Sequence, residues 1–302
     1  MNVFILGEAT IDRNTFLDKG KAKLDTAYGV PVYRERYSVD RPGSAANVAH
    51  QLAVMSMMDA SEERYKTHLF SAYSYGLERL IHSQCTQNAI EVLSPMQIVK
   101  ERYFTEGICV LRMDRGPEEV DSYNSFCIDL DRLVEEGDII VLSDYDRGFI
   151  DEHLFGMALH LQDSRNVKVI VDAKKIKPNM KGAFILKCNE DTALDYAVDH
   201  VELGFATPMD QIIHNLDVDN VIVTSERGSW RKAKGEGVIK ETAHAVRDLD
   251  LVDTCGAGDM FIVGLVRALI MGADITSAVG EGHYLADIST THFGTYELEQ
   301  EQ

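Results

Sequence analysis

The chain has 302 residues, with 30 Lys and Arg against 49 Asp and Glu, a formal charge of −19 and a pI near 4.9. A polypeptide of this length buries about three quarters of its unfolded surface and needs neither disulfides nor a metal to hold a core. The acidic balance argues against a general electrostatic grip on nucleic acid or on an anionic membrane, so an anionic ligand must be held by local groups against the overall field.

From the N-terminus, Val3-Phe4-Ile5-Leu6 is a continuous apolar run stopped by Gly7, the pattern of a strand buried on both faces of a parallel sheet. It lacks the basic start of a secretion signal, and no run approaches the roughly 18 apolar residues that cross a bilayer. Val30 to Val39 and Gln97 to Met113 alternate in part between apolar and polar residues, which predicts a small accessory sheet with one wet face. Between them, the small residues of Arg41-Pro42-Gly43-Ser44-Ala45-Ala46-Asn47 lead into a helix, and Met55-Ser56-Met57-Met58 reads as helical core. Buried-strand runs recur at His68–Ala72, Asp138–Leu142, Val167–Val171, Phe184–Leu186 and Val221–Val223, with helical spacing over Phe149–Leu161 and Ala193–Leu203. Strands alternating with helices predict βαβ units and an α/β fold with a mostly parallel sheet covered on both sides. With six prolines and no linker rich in Gly and Ser, residues 1–302 read as one large domain plus the flap, ending in the solvated acidic tail Glu297-Leu298-Glu299-Gln300-Glu301-Gln302. Five single cysteines (Cys85, Cys109, Cys127, Cys188, Cys255) suggest neither a disulfide framework nor a zinc site and fit a reducing, cytoplasmic setting.

The segment richest in chemistry is Asp253-Thr254-Cys255-Gly256-Ala257-Gly258-Asp259, which opens directly into the helical run Met260 to Ile270. Free N–H groups at a helix start can converge on one oxyanion, and Asp259 in the first turn is kept ionised by the helix dipole and placed to accept a proton beside a phosphate. A plain turn made by Gly256 and Gly258, with Asp259 as a cap, would satisfy the same residues. In the earlier segment, Gly43 permits close approach of a polyhydroxyl ligand and Asn47 offers an amide to it, although a tightly packed Ala-rich helix would use them equally well.

Together the two segments are similar to the ribokinase-like, PfkB family of carbohydrate kinases, in which a GGxxxN-type stretch holds the sugar and DTxGAGD supplies the base and the anion hole. The match over Asp253–Asp259 is complete. Within the family the chain most resembles the kinase half of the bifunctional heptose-phosphate enzymes, D-glycero-β-D-manno-heptose 7-phosphate kinase. That likeness is carried by Val30-Pro31-Val32, Arg41 to Ala49, Val110-Leu111-Arg112-Met113-Asp114, Val141-Leu142-Ser143-Asp144-Tyr145 and Asp172-Ala173-Lys174. No nucleotidyltransferase half follows Gly294-Thr295 in this sequence.

The resemblance implies a three-layer α/β/α sandwich with a β lid, closing over the sugar and pairing between the subunits of a homodimer. It implies phosphorylation of a sugar or sugar phosphate by ATP, with Asp259 as base and the N–H groups of Cys255, Gly256, Ala257 and Gly258 neutralising the transferred group. Asp12, Gly43 and Asn47 would hold sugar hydroxyls, with Arg112, Asp144 and Lys174 as further acceptor-side candidates. Lys187, Asn189, Ser225, Arg227 and Gly228 would line the nucleotide side with Gly256 and Gly258. Mg²⁺ would arrive on ATP with Glu190 as its one protein candidate, and the family resemblance leaves open a monovalent cation. Two departures stand out: Ser44 occupies the second glycine of the sugar motif, and the family's KPNxxE appears as Lys187-Cys188-Asn189-Glu190-Asp191-Thr192, with Thr192 in place of the metal-linked Glu. Other acceptors, such as fructose, ribose or a nucleoside, and a non-catalytic sugar- or nucleotide-binding relative are the competing readings.

Overall fold

The structure is a computed structural model that describes residues 1–18, 23–25, 27–58, 65–72, 76–82, 85–90, 98–120, 125–199, 207–242 and 251–298. The first half of the chain runs β1 (Asn2–Gly7), β2 (Ala9–Leu17), β3 (Lys23–Asp25), β4 (Val30–Val32), β5 (Glu35–Ser44), α1 (Ala45–Met58), β6 (Lys66–Ala72), β7 (Cys85–Ile90), β8 (Val99–Thr105), β9 (Ile108–Arg115) and α2 (Ser125–Leu133). The second half runs β10 (Ile139–Asp144), α3 (Glu152–Arg165), β11 (Lys168–Ala173), β12 (Ile185–Asn189), α4 (Glu190–Asp199), α5 (Pro208–Leu216), β13 (Asn220–Ser225), β14 (Gly228–Ala233), β15 (Ile239–Thr242), α6 (Ala257–Ile270) and α7 (Ile275–Thr290).

Nine strands form the main sheet in the order β15-β14-β13-β12-β11-β10-β1-β6-β7, parallel except for the antiparallel pairings of β14 with β13 and β15. The apolar runs are continuous because both faces are covered. Phe4, Leu6, Ile140, Leu142, Val169 and Val171 point into a core shared with α3, α4 and α5. Their neighbours Val3, Ile5, Ile139, Val141 and Ile170 point into a second core shared with α1, α6 and α7. Each such strand therefore presents alternate residues to two separate helical layers, which is the α/β/α sandwich expected. The chain moves outward from β1 to β6 and β7, then returns to place β10 on the other side of β1. The gap between the carboxyl ends of β1 and β10 is thus a topological switch point, where open α/β sheets hold their ligands.

A second, four-stranded sheet of order β5-β2-β8-β9 forms the lid. It differs from the sequence expectation in two ways. The lid also draws on β2, a strand among apolar and polar residues with no clear alternation, and Asp12 lies in the middle of it. Val30–Val32 pairs with β3 as a separate ribbon, and the lid edge on this side is Glu35–Ser44. Gln97 and Leu203 fall outside the described residues, as do 299–302 of the acidic tail. The start of that tail is not free: Glu297 pairs with Arg41, and the Leu298 N–H donates to Gln51 Oε1 at 3.1 Å. Helix α3 starts at Glu152 rather than Phe149 because the Asp151 carboxylate accepts the Leu154 N–H at 2.9 Å, an N-cap that fixes the first turn.

Candidate active site

Helix α6 begins at Gly256, whose φ of 79° is left-handed, so the glycine lets the chain swing from the preceding turn into the helix. Two donors of the expected anion hole are already engaged, since the Cys255 N–H donates to Asp253 Oδ1 at 3.0 Å and the Ala257 N–H to the Thr254 carbonyl at 3.3 Å. Among the described residues, the N–H groups of Gly256 and Gly258 have no acceptor, and they are the free donors beside the helix dipole. The Cys255 thiol is pushed up to about 12 by burial and by the neighbouring Asp12 charge, so it is not a nucleophile.

Asp259 sits in the first turn of α6 and is 5% exposed. Asn47 Nδ2, from α1, donates to its Oδ2 at 3.1 Å, and the Tyr145 hydroxyl, from the turn after β10, donates to its Oδ1 at 2.9 Å. Burial pushes the carboxyl above the usual carboxylate range, against the pull of the Asn47 hydrogen bond and of Lys100 and Lys174, while Asp172 adds to the rise. A carboxylate whose pKa is raised toward neutrality is a stronger acceptor of a substrate proton than a solvated one.

The lid lays a second set of polar side chains beside Asp259. Strand pairing sets Arg41, Asp12, Lys100 and Asp114 in one row and Val39, Asn14, Arg102 and Arg112 in the next. Asp12 Oδ2 accepts from Thr295 Oγ1 at 2.8 Å, while its buried Oδ1 has no partner. Gly43, opposite Thr10, lies so near Asp12 that a Cβ would come within 2.6 Å of Oδ1, which explains the residue type. Arg112 is exposed and forms a two-pronged pair with Asp114, both bonds at 2.8 Å. Asp144 is fully buried; it accepts from Lys177 Nζ at 2.8 Å and from the Asp146 N–H at 2.9 Å, so it braces the turn that carries Tyr145. Lys174 is exposed, with its ammonium 5.1 Å from the Tyr145 ring centroid.

Ser44 resolves one departure. It holds φ at 55°, the conformation that a glycine would adopt freely, and its buried hydroxyl accepts from Lys100 Nζ at 2.7 Å. Ser44→Ala keeps the strained backbone and strips Lys100 of its acceptor, whereas Ser44→Gly loses the acceptor but relieves the strain. Urea unfolding should therefore show Ser44→Ala less stable than Ser44→Gly by about 1 kcal/mol. Equal midpoints would mean that the backbone stores no strain there.

Beneath the first turn of α6, Lys187 Nζ bonds Asp172 Oδ1 at 2.8 Å with both side chains buried, and lies 3.4 Å from where a Cβ on Gly258 would stand. The exposed Asn189 ends β12, and its Oδ1 accepts the Thr192 N–H at 2.8 Å; Glu190 is exposed in the first turn of α4. Thr192, at the position of the family's Glu, is buried and donates to the Lys174 carbonyl at 3.2 Å, a structural tie. Ser225, Arg227 and Gly228 form the tight turn between β13 and β14, where Ser225 Oγ accepts the Arg227 N–H at 3.2 Å and donates to the Gly228 carbonyl at 3.3 Å. This turn and Asn189 lie at the carboxyl ends of adjacent strands, away from the lid.

Sequence reasoning missed four residues. Lys100 is a lysine on the inward face of a lid strand, and its burial lowers its pKa against the attraction of Asp12 and Asp259. Tyr145 directly follows the Ser143-Asp144 pair, yet carried no assigned role. Glu8 is buried and binds the N–H groups of Tyr145 and Arg147 at 3.1 and 3.2 Å. Thr295 reaches Asp12 from 283 residues away, a contact with no local signal.

This layering, with its lid beside the switch point, is the ribokinase-like α/β fold. Escherichia coli phosphofructokinase-2 in complex with potassium superposes with a TM-score of 0.72 at 17% identity, covering 98% of this chain and 94% of that one. Ribokinase from Thermotoga maritima gives 0.68 at 21% identity, over 97% and 94%. The model of the pfkB family carbohydrate kinases matches residues 109–302, and the chain belongs to that family. Among curated relatives, the bifunctional protein HldE of Pseudomonas aeruginosa (strain UCBPP-PA14) is 27% identical over 308 residues, covering 97% of this chain and 60% of the relative. The protein of the same name from Pseudomonas putida (strain ATCC 700007) is 26% identical over 304 residues. The chain spans about three fifths of the length of these relatives.

Proposed function

We propose that the chain transfers the γ-phosphoryl group of ATP to a hydroxyl of a phosphorylated sugar, with D-glycero-β-D-manno-heptose 7-phosphate as first choice. The observation that carries the phosphorylated acceptor is the lid's inner face. There Lys100 and Arg102 stand on one strand and Arg112 opposite Arg102 on the next, and one buried guanidinium nitrogen of Arg102 has no partner. Like charges directly opposite on a sheet repel. In a chain of charge −19, such a cluster is stabilised by a bound anion such as a sugar phosphate. The similarity to HldE and to the heptose 7-phosphate kinase half supports the heptose over fructose or ribose.

In this reading Asp12, with its free Oδ1, and Asn47 orient the sugar hydroxyls. Asp259 takes the proton of the attacking hydroxyl, and the N–H groups of Gly256 and Gly258, with Lys187 beside them, stabilise the charge on the transferred group. Ser225, Arg227 and Gly228 bound the nucleotide. Among the described residues no group of three or more His, Cys, Asp or Glu is placed to hold a metal. The donor set fits an ion carried in on ATP, with Glu190 reaching it directly or through water. Mg²⁺ so held would neutralise phosphate charge.

The lid's edge strand β9 exposes Ile108, Val110, Leu111 and Met113, and a groove of about 640 Å³ between it and Tyr33 and Pro31 is walled by Leu17 and Tyr103. A second copy of this chain covering that edge would make the homodimer.

The test offers Mg-ATP with heptose 7-phosphate, unphosphorylated heptose, fructose, ribose and nucleosides. Heptose 7-phosphate is expected to be turned over best, and Arg102→Met to raise its KM by at least about tenfold while leaving the KM for ATP unchanged. Equal turnover of phosphorylated and unphosphorylated sugar would refute the acceptor assignment. Binding of sugar or nucleotide without turnover would favour the non-catalytic relative.

A further inference from the structure

The turn that follows β10 is held with unusual thoroughness for a surface connection. Its backbone is gripped by two buried carboxylates, Glu8 accepting from the N–H groups of Tyr145 and Arg147, and Asp144 accepting from that of Asp146. Asp146 adopts a left-handed φ of 60°, and Lys177 ties both Asp144 and Asp146 at 2.8 and 2.9 Å. The side chain presented by this brace is Tyr145. Its ring has the ammonium of Lys100 4.4 Å from its centroid and that of Lys174 at 5.1 Å, and its hydroxyl is 2.9 Å from Asp259 Oδ1. A cation facing a phenol ring is held by the ring's quadrupole, so the lysines and the turn together fix where the hydroxyl points.

We propose that Tyr145 is a positioning residue for the base: its O–H fixes the orientation of the Asp259 carboxylate and favours its ionised form, leaving a lone pair free for the acceptor's hydroxyl. The inference rests on the kinase reading of the site. Asn47 holds the other carboxylate oxygen, so the carboxylate is clamped from two elements and cannot rotate without breaking a bond. The groups that face Asp259 are Asn47 from α1, Lys100 from the lid, Asp172 and Lys174 at the end of β11, and Tyr145. Of these, Tyr145 supplies an O–H to the carboxylate and carries no charge, because burial and the Asp259 and Asp172 charges push its phenol well above the usual range. It therefore donates throughout the working pH range.

Tyr145→Phe keeps the ring between the lysines and removes only the donor. Losing a hydrogen bond to a charged group is expected to lower kcat by about tenfold or more near neutral pH and to move the acid limb of the kcat profile up by about one pH unit, with the KM for ATP unchanged. The limb moves up because the anion loses a stabilising donor, so a higher pH is needed to form it. The same displacement should appear in the carboxyl ¹³C titration of Asp259 in unliganded protein, assigned by its absence in Asp259→Asn. Lys174→Met, which removes one flanking cation and leaves the Tyr145 hydroxyl in place, should also move the titration up through the lost charge alone, and is the comparison that separates charge from the hydrogen bond. A variant with the parent's kcat, acid limb and carboxyl titration overturns the proposal, as does a loss of kcat with both titrations unmoved. If the parent phosphorylates no acceptor, the kinase reading fails by itself, and the carboxyl titration still decides whether Tyr145 governs Asp259.

Discussion

Asp259→Asn is expected to lower turnover of the preferred acceptor by about 10²-fold or more while leaving the KM for ATP near its parent value. The amide keeps the shape of the side chain and can still accept the Tyr145 O–H, but its NH2 then faces the Asn47 Nδ2 donor, and it cannot take up a proton. The free N–H groups of Gly256 and Gly258 remain in place, so residual catalysis by positioning and charge stabilisation should persist. The same variant should stay near the parent's stability at pH 7, because losing the buried charge offsets losing the Asn47 hydrogen bond. In the folded chain burial raises the Asp259 pKa, so the folded state binds the proton more tightly than the unfolded state. This contribution to stability is fully present below the unfolded pKa and is lost as pH rises through the raised folded value. At neutral pH the ionised, buried carboxylate thus weighs against folding, and a neutral amide removes that burden. Steady-state kinetics and thermal unfolding on one preparation check both halves. Turnover within tenfold of the parent would remove Asp259 from the role of base.

The main sheet was legible because its strands are buried on both faces, and a run such as Ile139 to Leu142 has no other economical reading. The start of α6 was legible because small residues and an acid at a helix entry are a local chemical signal. The lid was only half legible. Strand β2 carries Thr10, Asp12 and Asn14 buried on the face that meets the site, and polar residues facing an active site erase the alternation by which a strand is recognised. Lys100 was hidden for the same reason. Thr295 and Glu8 act through pairings that only the folded chain brings together, and Tyr145 gains its meaning from a hydrogen bond to a residue 114 positions away. The departures at Ser44 and Thr192 were visible, but their consequences were not. One takes the glycine conformation with its own side chain, and the other ties α4 to the Lys174 backbone.

The second large effect is expected at Lys187. Its ammonium and the Asp172 carboxylate are both about 3% exposed and 2.8 Å apart, beneath the first turn of α6. Lys187→Met leaves Asp172 buried without its partner, which should lower stability by about 3–5 kcal/mol, read as a shift of the urea midpoint at constant slope. The unpaired charge also faces Asp259, whose carboxyl Asp172 already pushes upward, so the acid limb of turnover should move to higher pH in whatever fraction remains folded. These effects separate when the partner is replaced as well. Lys187→Met combined with Asp172→Leu removes the orphaned charge, and an apolar pair of similar volume can match a buried ion pair, so most of the lost stability should return. Turnover should not return with it, because the double variant lacks the cation beside the Gly258 N–H where phosphate charge develops. A single variant that loses less than about 1 kcal/mol would show that the pair is already solvated. A double variant with the parent's turnover and KM for ATP would show that Lys187 serves the fold alone.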